Sequence, residues 1–102
     1  MSRDIFSPVG ATTNLTASAT TSNVILDNMT GQPRSVRVYN PTAAIVFIEF
    51  GASSAVEAAV ATSLPLGPGA VEWFEIGPAV THMAAITSAG GGTVYASEGQ
   101  GA

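Results

Sequence analysis

From Asn23 onward, short apolar-polar alternations are separated by turn-forming residues. "NVILD" (23–27) is the first such run, and the turn-rich "NMTGQP" (28–33) closes it. "SVRVYN" (35–40) sets Val36 and Val38 on one side and Ser35, Arg37 and Tyr39 on the other, the period-2 pattern of a half-buried strand. Asn40-Pro41-Thr42-Ala43 reads as a tight turn, because proline presets φ for a turn's second position. "AIVFIEF" (44–50) follows, so Ser35 to Phe50 is expected to form a β-hairpin.

"AAIVFIEFG" (43–51) departs from simple alternation. Ala44, Val46, Ile48 and Phe50 project to one face, while Ile45 and Phe47 project to the other, where only Glu49 is polar. Both faces want cover. The second face could be covered by the chain's own loop, Ala55 to Ser63, or by another subunit packed about a symmetry axis. In the second case Ile45 and Phe47, together with Trp73, line the contact, and Glu49 sits at its wet rim. The expected core is Val36, Val38, Val46, Ile48 and Phe50, with Ile86 and Val94.

"SAVEAAVATS" (54–63) has helical propensity for two turns at most, but its Ser and Thr residues favour a loop with a strand beginning near Ala61. "SLPLGPGA" is read as a turn and "AVEWFEI" (70–76) as a strand closed by Gly77-Pro78. "THMAAITS" and "GTVYAS" add two strands, joined by a flexible glycine hairpin connection, with "EGQGA" as a tail. Six or seven short strands spaced about 8–12 residues apart indicate a sandwich or barrel. The connections are too short for crossover helices, so the order is antiparallel. The expected fold is all-β: an antiparallel β-sandwich or jelly-roll-like barrel of six to eight short strands, one domain over 23–102. Residues 1–22 hold neither period for long, and only Ile5, Phe6, Val9 and Leu15 could anchor them. They are expected to be either a frayed terminus or an extended N-terminal arm that orders on a neighbour, with Ile5 and Phe6 at the interface.

Composition narrows the partners. Charged residues are 10% of the chain, against roughly 25% in an average domain. Net charge is −4, there is no lysine, and Arg3, Arg34 and Arg37 cannot make the basic stripe that nucleic acid or an anionic membrane requires. No apolar run is long enough to span a bilayer as a helix. "MSRDIFSPVG" lacks the apolar stretch of a secretory signal, so maturation in a cytoplasm is expected, and the sequons at Asn14 and Asn28 are read as chance matches. Without cysteine there are neither disulfides nor thiolate metal sites.

Candidate chemistry is sparse, and no catalytic, cofactor-binding or metal site is expected. His82 is the single histidine, with no nucleophile motif near it. Glu72 and Glu75 invite a glycosidase reading, but three apart on a strand they project to opposite faces and cannot flank one bond. Gly90-Gly91-Gly92 leads into a strand, not a helix, so it is no phosphate cradle. Tyr39, Trp73 and Tyr95 could form a sugar-stacking face or serve a core or an interface.

"PTAAIVFIEFG", "LPLGPGAVEWFEI" and "AAITSAGGGTVYASEGQGA" together resemble the small accessory virion proteins of tailed bacteriophages, of the capsid decoration or cement type. The likeness covers about residues 35–102 and is one of pattern. It implies a structural virion protein, made in the host cytoplasm, that sits on the capsid surface as a homo-oligomer (trimer or dimer) and braces contacts between major capsid protein subunits. The alternative is a carbohydrate- or receptor-binding β-module of a phage tail or fibre.

Overall fold

The computed structural model describes residues 6–29 and 31–100. Nine strands follow in chain order: β1 (Ser7–Pro8), β2 (Thr13–Ala17), β3 (Ser22–Ile25), β4 (Arg34–Tyr39), β5 (Val46–Gly51), β6 (Leu64–Leu66), β7 (Val71–Ile76), β8 (His82–Thr87) and β9 (Gly92–Gln100). Among the described residues there is no helix. One sheet runs β1-β9-β4-β7, with β2 also paired to β9; the other runs β3-β8-β5-β6. All pairings are antiparallel.

The pairings nest: β2 lies on β9, β3 on β8, β4 on β7 and β5 on β6. This is one long folded ribbon, rolled so that β4 also meets β9 and β5 also meets β8. The sandwich is therefore wound as a jelly roll. Its interior comes from alternate residues of both sheets. Leu15, Val36, Val38, Val94 and Ala96 face inward from the first sheet, and Val46, Ile48, Leu66, Met83 and Ala85 from the second. β8 contributes Met83 and Ala85 to the core, not the expected Ile86, because Ile86 pairs with Phe47 on the outward face. Phe50 is half-buried at the core's margin.

The expected Ser35–Phe50 hairpin is not formed, since β4 and β5 belong to different sheets. Asn40-Pro41-Thr42 is the crossover between them, held by a fully buried Asn40. The Asn40 Oδ1 accepts from the Thr42 N–H (3.1 Å) and hydroxyl (2.6 Å), while Nδ2 donates to the carbonyls of Ala44, Leu66 and Gly67. One side chain thus ties this crossover to the β6–β7 turn.

The glycine run is likewise a crossover, from β8 to β9, and not a flexible hairpin connection. Gly91 has φ +149°, and a Cβ there would run into the Ala17 carbonyl. Only glycine lets the backbone pass so close.

The extended arm over residues 1–22 is not shown. Ser7–Pro8 and Thr13–Ala17 are strands of the first sheet, and Leu15 and Ala17 are in the core. "TNLTA" does alternate, but its inward set is only Thr13, Leu15 and Ala17, too small and polar to stand out among the surrounding Ser and Thr. The expected interface residue Ile5 lies outside the described residues. Phe6 rests over Gly99, where a Cβ would come within 2.9 Å of its ring.

The second face of "AAIVFIEFG" is covered only in part by the chain itself. Residues 52–63 cross the outer side of the second sheet. Asn23 Nδ2 donates to the Ser54 carbonyl (2.9 Å), the Ala58 N–H donates to Thr21 Oγ1 (2.9 Å), and Val56 packs on Gly51. Ala84 is buried there although it faces outward opposite Glu49. Phe47 stays half-buried between Pro65 and Ile86, and Ile45 is 46% exposed.

Candidate functional site

The outer face of the first sheet carries the chain's exposed aromatics in two adjacent rows. Strand register sets Asn14, Tyr95, Tyr39 and Val71 side by side across β2, β9, β4 and β7. The next row is Ser97, Arg37 and Trp73. Period-2 alternation puts these residues outward, because their neighbours Val36, Val38, Val94 and Ala96 are claimed by the core. The Tyr39 and Tyr95 rings are stacked with centroids 6.4 Å apart. The Arg37 guanidinium carbon lies 5.9 Å from the centre of the Trp73 ring, within cation–π range. Trp73 remains 46% exposed and Tyr95 37%, so the cluster is presented rather than packed away. Among the described residues the face holds a single cation, Arg37, and Glu75 at the β7 edge.

At that edge the face turns into a groove of about 610 Å³ between β7 and the β5–β6 hairpin. Its walls include Ile48, Phe50, Leu64, Trp73 and Phe74, and its charged residues are Glu49 and Glu75. Ser63 Oγ donates to Glu49 Oε1 (2.9 Å) and so fixes that carboxylate on one wall. Leu64 is 48% exposed on β6, which has no strand beyond it among the described residues. Trp73 belongs to both surfaces, lining the groove and bordering the outer face.

Other candidates separate. Trp73 does not join Ile45 and Phe47: it lies on the first sheet, and Phe47 is on the outward side of the second. Glu72 and Glu75 pair with Val38 and Ser35, residues of opposite faces, so the two carboxylates diverge. The His82 Nδ1 is 2.7 Å from the neighbouring Thr81 hydroxyl. Among the described residues no group of three or more His, Cys, Asp or Glu could hold a metal ion.

One constellation escaped the sequence reading. Arg34 and Glu98 form an ion pair with both side chains inaccessible, Nε to Oε1 at 3.2 Å. Glu98 also accepts the N–H groups of Asn28 (3.0 Å) and Met29 (3.2 Å). The rest of the Arg34 guanidinium donates to the carbonyls of Leu26, Gln32 and Gly77. Every partner belongs to the chain's own frame, so this is a structural clamp and not a ligand site.

Comparison of the chain with protein-family models, curated proteins and solved structures finds no match.

Proposed function

We propose that the chain is a non-enzymatic structural protein of the virion, a capsid decoration (cement) protein of a tailed bacteriophage that docks on the major capsid protein through the outer face of its first sheet. The observation that carries the docking is the exposed Trp73–Arg37–Tyr39–Tyr95 cluster. Trp, Tyr and Arg are the residue types that dominate interface hot spots, and here they stand on a rigid, hydrogen-bonded sheet. The jelly roll is used by capsid and lectin domains alike, so it supports the reading without deciding it. The resemblance of residues 35–102 to accessory virion proteins favours the capsid. Contact between copies in a dimer or trimer falls to the uncovered strip of the second sheet, Ile45 and Phe47 with Pro65 and Ile86.

The same aromatics favour a second reading, a carbohydrate- or receptor-binding module of a tail or fibre, in which sugar rings stack on Tyr39, Tyr95 and Trp73 beside Asn14 and Ser97. Co-sedimentation with capsids of the encoding phage, set against a glycan array, separates the two. The capsid reading expects saturable binding to shells that Trp73→Ala weakens by about 30-fold or more, as for a hot spot of about 2 kcal/mol. Glycan binding without shell binding would overturn it.

A further inference from the structure

We propose that the free edge of β7 receives, by strand addition, an extended segment of a different protein in which two basic residues flank two apolar ones. β7 is the last strand of its sheet, six residues long and without proline. Among the described residues, no backbone hydrogen bond outside the strand ladders reaches Val71–Ile76, so no loop caps this edge. The edge facing it across the groove is different. β6 has only three residues, and its middle one is Pro65, which offers no N–H. An incoming strand therefore pairs with β7 and lays its inward side chains in the groove. Main-chain bonds supply the affinity of such an addition, and alternate side chains its specificity.

The side chains of β7 state what that strand must look like. Its sequence Glu72-Trp73-Phe74-Glu75 places a carboxylate at each end of an aromatic pair. Glu72 and Phe74 lie on the inward side, and Trp73 and Glu75 on the outward side. Directly opposed cross-strand partners interact most strongly, and opposite charges stabilise while like charges oppose. The matching segment is basic, apolar, apolar, basic, and this order reads the same in either direction. One apolar side chain meets Phe74 and Leu64 in the groove, and the other meets Trp73. Glu49, on the far wall, adds to the negative field.

A second copy supplies no matching charge. Two β7 edges meeting antiparallel oppose only residues of the same face, so a pairing centred on Trp73 or on Phe74 sets each glutamate against an apolar residue and never against a cation. The chain has three cations, and the two that stand three apart, Arg34 and Arg37, are both in β4, the inner neighbour of β7. The basic strand must come from another protein. This inference deepens the docking reading, since it names one contact and the chemistry of the partner.

The test uses the full chain and a synthetic octapeptide, Thr-Thr-Lys-Val-Val-Lys-Thr-Thr, with amide exchange and chemical shifts read at β7. The expected result is saturable binding that protects β7 amides, weakens as salt is raised, and falls at least tenfold when both lysines become glutamate. The double variant Glu72→Lys, Glu75→Lys should invert the preference and favour the glutamate peptide. Both glutamates are exposed, so the variant should keep the fold, and the two peptides on the unaltered chain give the same answer independently. No binding, binding indifferent to charge, or perturbation mapped away from β7 overturns the inference. Shell binding that persists without peptide binding rejects this edge alone; peptide binding without shell binding rejects the capsid reading alone.

Discussion

Arg34 is one of three cations in the chain, and its guanidinium is wholly enclosed. A buried charge is tolerated only when it is paired and its remaining groups are hydrogen-bonded, and both conditions hold for Arg34 and Glu98. Breaking such a pair costs far more than the pair contributes, because it strands the surviving charge. Glu98→Gln should therefore lower stability by about 3–5 kcal/mol in urea unfolding. Replacing both partners with apolar residues of similar volume should recover most of that loss. A single-variant loss under about 1 kcal/mol would show the clamp to be dispensable, given that range. Nothing local in the sequence marks the pair. The partners are 64 residues apart, and the glycine-rich context of Glu98 looks like a tail rather than the end of a strand.

Among the elements, β4, β5 and β7 were legible because each carries a period-2 run with large apolar residues on its core face. β8 was legible as a strand but not in its facing, since its core side holds Met83 and Ala85 and its largest apolar residue, Ile86, points outward. β2 was not legible, because its inward residues are so small. Yet Thr13–Ala17 pairs with Gly92–Ala96 over its whole length, and Leu15 sits opposite Val94 in the core. Deleting residues 1–17 removes that partner and uncovers Val94. The truncated chain should lose its cooperative unfolding transition or aggregate through the bared β9 edge. An unchanged thermal midpoint would mean that the segment is the loose arm its composition advertises. The two misread connections have a common cause. Asn-Pro-Thr and Gly-Gly-Gly announce a change of direction, but local sequence does not say whether the chain returns within its sheet or crosses to the other. Here Asn40 and Gly91 build crossings.

For the whole molecule, alternation and turn spacing sufficed for the class, an all-β sandwich, whereas the nested jelly-roll pairing depends on contacts between strands far apart in the chain. The candidate site was legible only in part. Tyr39, Trp73 and Tyr95 were visible as aromatics without a core assignment, but their assembly with Arg37 depends on β9 and β7 both flanking β4. That assembly gathers the exposed aromatics and Arg37 on one face of one sheet, the face proposed to meet the capsid. An electron cryo-microscopy map of the decorated particle tests that contact most directly. The chain should be seated with Trp73, Arg37, Tyr39 and Tyr95 buried against a major capsid protein subunit. A particle on which this face points to solvent while another surface makes the contact, or one that carries no copy of the chain, would contradict it.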